Sequence, residues 1–182
     1  MRKTKDQKIK KLLQDPRKLY HTQDLAVLWG IDNFNTLHTV IKRYIKRGFL
    51  NKIHKGFYST VSLDKVDTIL LGLIGLHRYG YLSTESVLAK EGLIFQDVKY
   101  ITLVSDISKR IDVSGHKFLG RQMKDSYLYN ETGITMNDEG IKVASVERAV
   151  ADMLYFNPSY HFDAKNIIDW KKVKEIQNKI GY

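Results

Sequence analysis

Phe34-Asn35-Thr36-Leu37-His38-Thr39-Val40-Ile41-Lys42-Arg43-Tyr44-Ile45-Lys46-Arg47 decides how the first third of this chain folds. At about 100° per residue, Phe34, Leu37, Val40, Ile41, Tyr44 and Ile45 fall within an arc of about 140°, so the spacing predicts a helix over 34–47 with these residues facing the core. Asn35, Thr36, Thr39, Lys42, Arg43 and Lys46 share an arc of about 120° on the other side, with His38 and Arg47 at its borders. No acid interrupts that arc. Asp32 or Asn33 stands where the helix needs an N-terminal cap.

Beyond this helix, Gly48-Phe49-Leu50-Asn51-Lys52-Ile53-His54-Lys55-Gly56-Phe57-Tyr58 places two short apolar and aromatic runs about a Lys-Gly turn, the pattern of a small β-hairpin. Before it, His21-Thr22 offers a cap for a short helix in which Leu25, Ala26 and Leu28 are spaced for burial, ending at Trp29-Gly30. Further upstream, residues 4–13 put Ile9, Leu12 and Leu13 on one side of a Lys-rich helix that Asp15-Pro16 stops. Helix, short helix, turn, polar-faced helix and basic hairpin predict a winged helix-turn-helix domain over residues 1–60.

Charge follows the same division. Residues 1–60 hold fourteen Lys and Arg against four acids, whereas residues 61–182 balance sixteen of each, so the whole formal charge of +10 lies in the first third of the 182-residue chain. Clustered cations of this kind call for a polyanionic partner. The absence of Cys excludes disulfides, thiolate zinc sites and cysteine nucleophiles. The N-terminus is too charged for a signal peptide, and the longest apolar stretch, 69–76, falls short of a membrane span, so a cytoplasmic protein without a membrane partner is expected.

Residues 61–182 read as a mixed helical and antiparallel-sheet domain, which makes the whole chain α+β. A densely apolar helix over 64–77 is expected at the domain centre, followed by a turn at Tyr79-Gly80-Tyr81 and a helix over 83–91 capped by Ser83 or Thr84. Strand-like runs follow at 100–104, 110–113, 117–119, 134–136 and 141–143, with Gly, Ser and Asn between them. Ser145 caps a helix that buries Val146, Ala149, Val150, Met153 and Leu154 and stops at Asn157-Pro158, and an amphipathic helix over 169–180 closes the chain. In the first of these helices Arg148 and Asp152, four apart, are expected to form a surface ion pair. Tyr155-Phe156 and Tyr160-His161-Phe162 form an aromatic cluster about Pro158, either core or interface.

The polar face of the 34–47 helix suits the major groove, where Asn pairs with adenine, Arg with guanine, and the Thr methyl meets thymine. Asn35, Thr36, Thr39 and Arg43 are the candidate base readers. Lys42, Lys46 and Arg47 suit phosphates, and Lys52, His54 and Lys55 on the hairpin suit backbone or minor groove. Lys3, Lys5, Lys8, Lys10 and Lys11 read either as an arm along DNA phosphates or as the solvent side of the first helix. No catalytic residue, metal ligand or cofactor is expected: phosphate-cradling glycine loops, nucleophile elbows and His-Glu-x-x-His pairs are absent, and the six His are scattered. Two rival readings stay open. Asp112 with Asp138, Glu139 and Lys142 loosely mimics the acid, acid and lysine set of metal-dependent nucleases, although the spacing is one residue too long. Alternatively, the basic face serves a protein-interaction adaptor.

The segment from Arg47 to Tyr58 resembles the wing of AbiEi-type antitoxins of abortive-infection, type IV toxin–antitoxin systems. Tyr79-Gly80-Tyr81-Leu82-Ser83-Thr84-Glu85-Ser86-Val87-Leu88 with Glu91-Gly92-Leu93, and Ile141-Lys142-Val143-Ala144-Ser145-Val146-Glu147-Arg148-Ala149-Val150-Ala151-Asp152-Met153-Leu154, resemble later parts of the same family. The resemblance implies a DNA-binding transcriptional regulator that represses its own operon at inverted repeats in double-stranded DNA. It also implies a functional partner, a nucleotidyltransferase-like toxin, counteracted without a stable complex.

Overall fold

The computed structural model describes residues 2–182, with side chains from residue 7 onward, so the side chains of Lys3 and Lys5 lie outside the described part. The chain is a mixed α and β structure that divides into two compact units, Met1–Val66 and Asp67–Tyr182, six residues beyond the expected boundary. Residues 61–66 fall in the first unit, where the Val61 carbonyl accepts from Asn51 Nδ2 at 2.9 Å and from Ser59 Oγ at 2.7 Å.

The first unit runs α1 (Arg2–Gln14), β1 (Leu19–His21), α2 (Thr22–Trp29), α3 (Phe34–Lys46), β2 (Asn51–His54) and β3 (Phe57–Ser59). Local chemistry sets the helix ends. His21 caps α2 through Nδ1, which accepts from Gln23 N at 3.3 Å, while the Asp24 carboxylate accepts from His21 N at 2.7 Å. That is a capping box with a ring nitrogen in the usual hydroxyl's place. Gly30 ends α2 in the left-handed region, φ 62°, and Asn33 Oδ1 caps α3 by accepting from Thr36 N at 3.0 Å. Leu12, Tyr20, Leu25, Trp29, Ile31, Leu37, Val40, Ile41, Tyr44, Leu50 and Tyr58 form the core. Phe34 is not among them: it is 57% exposed, against the expectation that it faces inward. Helix side chains lean toward the N-terminus, so the ring of the first residue leans past the packed turns.

The expected hairpin becomes a three-stranded sheet in the order β1-β3-β2, with β1 added by the pairs Leu19↔Ser59, Tyr20↔Tyr58 and His21↔Phe57. In the second unit α4 (Thr68–Leu76), β4 (Gly80–Leu82), α5 (Glu85–Lys90), β5 (Ile101–Ser105), β6 (Lys109–Val113) and β7 (His116–Gln122) lead to α6 (Asp125–Leu128), β8 (Ile134–Met136), β9 (Lys142–Ala144), α7 (Val146–Phe156) and α8 (Trp170–Ile180). Its sheet, ordered β6-β7-β5-β4-β9-β8, is mixed and not antiparallel throughout: β5 runs parallel to β7, and β4 to β9. Residues 106–108 carry the chain past one strand's width, and β7 returns into the gap between β5 and β6.

Helices cover both faces of this sheet. Gly72 lets α4 approach so closely that a Cβ there would meet Phe118 at 2.4 Å and Leu103 at 3.0 Å. Tyr81, paired with Val104 on the opposite pleat, meets α7. The start of α4 is later than expected, because Asp67 Oδ1 accepts from Ile69 N at 2.7 Å and Leu70 N at 3.1 Å, leaving Leu63–Lys65 as a 3₁₀ turn. Only one side of α4 is sequestered; Ile69, Leu70, Leu73 and Ile74 are half-buried. The expected turn at residues 79–81 is instead largely strand β4, where Gly80 admits the neighbouring strand: an added Cβ would lie 2.7 Å from the Val104 carbonyl oxygen. Neither Ser83 nor Thr84 caps α5 with its side chain. Ser83 Oγ is committed elsewhere, and Thr84 takes φ 51° with no side-chain cap bond.

Arg148 and Asp152 are both fully buried, contrary to the expected surface pair. Arg148 Nε donates to Asp152 Oδ1 at 2.8 Å, Nη1 to the carbonyls of Asn130 and Thr132 at 2.9 Å each, and Nη2 to the Tyr81 hydroxyl at 2.7 Å. Asp152 also accepts from Ser83 Oγ at 2.7 Å, the Tyr81 hydroxyl at 3.0 Å and the Tyr182 hydroxyl. Burial, then the Asp152 charge, pushes the Tyr81 phenol far above its ordinary range. Burial, the largest influence, opposes the Arg148 charge, but Asp152, Tyr81 and Tyr182 together outweigh it and the guanidinium pKa stands above its usual value. Glu147 faces away from this network to pair with Lys172 of α8 at 3.7 Å. The aromatic residues near Pro158 divide: Tyr155 joins Tyr127 and Tyr182, whereas Phe162 joins Tyr160 and Trp170.

Candidate nucleic-acid interface

The polar side of α3 is open to solvent. Asn35, Thr36, Thr39, Lys42 and Lys46 are exposed, as is Arg47 just beyond the helix, while Leu37, Val40, Ile41 and Tyr44 are buried beneath them. Among the described residues no carboxylate pairs with Lys42, Lys46, Arg47 or Lys52. Asp15 and Asp24 are instead drawn to Arg17, at 2.7 Å and 3.5 Å, on the segment before α2. Among the described residues, therefore, no ion pair neutralises the stripe's charge. The Thr39 hydroxyl donates to the Asn35 carbonyl at 2.8 Å, which spends its proton inside the helix and leaves its methyl and lone pairs for a partner. Arg47 turns over the Phe49 ring, 4.9 Å from its centroid.

Arg43 differs from its neighbours. It is half-buried at the edge of the stripe, and its Nε is buried with no hydrogen-bond partner among the described residues. Lys8 of α1 lies nearby, its ammonium donating to the Trp29 carbonyl at 3.1 Å. Burial first, then the charges of Lys11 and Arg43, hold the Lys8 pKa below its ordinary value. The side of α3 next to α1 is thus crowded with cations, while the other side, carrying Phe34 and His38, is exposed. The outward face is rotated toward Phe34 relative to the arc read from helical spacing. The signal for this was the position of Phe34 as first residue of its helix, which the period alone does not encode.

On the sheet, Lys52 and Lys55 are exposed and His54 is half-buried. A register shift between Lys52 and His54 bends β2, and the Gly56 carbonyl accepts from both Thr22 N at 2.8 Å and Thr22 Oγ1 at 3.1 Å. The hairpin turn is therefore tethered to the start of α2.

The nuclease-like set is not brought together. Asp112 lies on β6 at one edge of the six-stranded sheet, while Lys142 lies on β9, and Asp138 and Glu139 in the turn between β8 and β9, toward the other edge. Four strand spacings separate β6 from β9, about 19 Å. Asp112 accepts from Gly115 N at 3.2 Å, and Lys142 pairs with Glu131 and the Tyr79 hydroxyl. Among the described residues, no group of three or more His, Asp or Glu is placed to hold a metal ion, and no helix is long and apolar enough to cross a membrane.

No family model matches this chain, and no curated protein matches it.

Proposed function

We propose that the first unit is a winged helix-turn-helix domain that binds double-stranded DNA, with α3 in the major groove and the β2–β3 hairpin against the backbone or minor groove. The observation that carries this reading is the exposed stripe of Asn35, Thr39, Lys42 and Lys46, free of acids and backed by the buried Leu37, Val40, Ile41 and Tyr44, in the unit that holds the chain's entire net charge. A helix fits the major groove, and Asn and Thr on its face carry the donors, acceptors and methyl that distinguish base edges. Lys42, Lys46, Arg47, Lys52 and Lys55 contact phosphates, which position the helix without reading sequence. Arg43, crowded by Lys8, also serves a phosphate at the flank of the groove. In this reading the protein acts by occupancy: a regulator covering a promoter needs no catalytic group. The resemblance to AbiEi-type antitoxins extends it to a repressor of its own operon whose second unit counteracts a nucleotidyltransferase-like toxin.

Fluorescence-anisotropy titration of a labelled duplex over a range of salt tests the binding reading. Lys42→Ala, Lys46→Ala and Lys52→Ala each flatten the slope of log affinity against log salt by about 0.9, the value of one lost phosphate contact. Negligible affinity for duplex DNA at low salt defeats the reading and favours an acidic protein partner. Rescue of growth on co-expression with a nucleotidyltransferase-like toxin tests the antitoxin role separately.

A further inference from the structure

Phe34 is a large aromatic side chain left 57% exposed in a unit whose core is filled by eleven other buried residues. It begins a row, Phe34, His38, Lys42, that runs along α3 beside the Asn35, Thr39 row, and every member of both rows is exposed. The Phe34 and His38 rings lie 6.5 Å apart between centroids, so the apolar end of the row is continuous with its cationic end. Beside Phe34 is an open hollow walled by Ala26, Val27 and Ile31 and, on its polar side, by Gln23 and Asp32. More than half of the phenyl ring is thus left facing water, an arrangement its own unit gains nothing from.

Resting on the DNA-binding reading above, we infer that Phe34 is a specificity-determining residue that contacts the 5-methyl group of a thymine. Three facts converge on that ligand. The first-turn residues of a recognition helix are the ones that reach base edges. The thymine methyl is the apolar feature of the major-groove edge, and Phe is among the side chains that meet it. Although Asp32 borders the hollow, α3 itself carries no acid and leads from Phe34 to Lys42 and Lys46, so a polyanion laid along the helix brings its groove to the ring. Arg43, half-buried on the opposite flank, leaves the first turn as the part of α3 best placed to read a base.

The test starts from duplexes selected by the wild-type protein out of a randomised library, with each thymine of the selected site then replaced singly by uracil, which lacks only the methyl. At one thymine the replacement weakens wild-type binding about fourfold, the equivalent of ~0.8 kcal/mol for one buried methyl. Phe34→Ala binds the thymine and uracil duplexes equally, whereas Phe34→Leu, which keeps an apolar tip, retains a preference for thymine. Uracil tolerated at every position by the wild type, or a uracil penalty that persists in Phe34→Ala, overturns the assignment while leaving DNA binding intact. A library from which no duplex is enriched defeats the DNA-binding reading and this inference together.

Discussion

Replacing Asp152 by Ala removes the acceptor on which four donors converge: Arg148 Nε, Ser83 Oγ and the hydroxyls of Tyr81 and Tyr182. Arg148 has no exposed surface through which to recover water, and its remaining partners, the carbonyls of Asn130 and Thr132 and the Tyr81 hydroxyl, carry no full charge. A buried pair broken from one side costs about 3–5 kcal/mol, because the orphaned charge loses its counter-ion without regaining hydration. In a unit the size of Asp67–Tyr182 that lowers the melting temperature by roughly 10–25 °C. Urea denaturation followed by circular dichroism and tyrosine fluorescence measures it, the expected signature being a lower midpoint with an unchanged slope. Asp152→Asn, which keeps an acceptor oxygen, loses less. Replacing both partners, as in Arg148→Met with Asp152→Leu, recovers only part of the loss, since the Asn130 and Thr132 carbonyls, Ser83 and Tyr182 then lack their partners. A loss below about 1 kcal/mol in Asp152→Ala refutes the reasoning.

Two smaller predictions concern the first unit. Hydrogen bonds from Arg17 hold the Asp15 carboxyl at about 2, below its ordinary value. Its contribution to stability is therefore present above the unfolded carboxylate pKa and is lost as pH falls through the folded value; a carboxyl-detected NMR titration shows the low midpoint, and Arg17→Ala returns it toward the usual range. Asn33→Ala removes the side chain that accepts from Thr36 N and costs about 1 kcal/mol, read as a lower thermal midpoint with fraying confined to the first turn of α3 in amide exchange.

The parts of this structure that were legible beforehand are those whose determinants are periodic or local. The apolar and polar arcs of α3, the Asn33 cap, the left-handed Gly30 and the Ser145 cap of α7 each follow from a few neighbouring residues. Strands β1 and β4 were not legible, because β1 is defined by its pairing with β3 some forty residues later, and Gly80, which reads as a turn, serves to admit a neighbouring strand. The spacing of Arg148 and Asp152 marked a pair but carried no information on depth. Depth came from partners sixteen to seventy-one residues away, such as the Thr132 carbonyl and the Tyr81 hydroxyl. In the candidate interface, helical period placed Asn35, Thr39, Lys42 and Lys46 correctly on the outside. It misjudged Phe34 and gave no sign that Arg43 lies half-buried, since period describes an endless helix and both residues are governed by what packs beside this one.

The decisive experiment is amide hydrogen exchange on the 182-residue chain, with and without a duplex bearing its selected site. If α3 enters the groove, new protection appears in α3 and in the β2–β3 hairpin, with the second unit's sheet unchanged. Protection confined to residues 67–182, or none in α3 at saturating duplex, contradicts it.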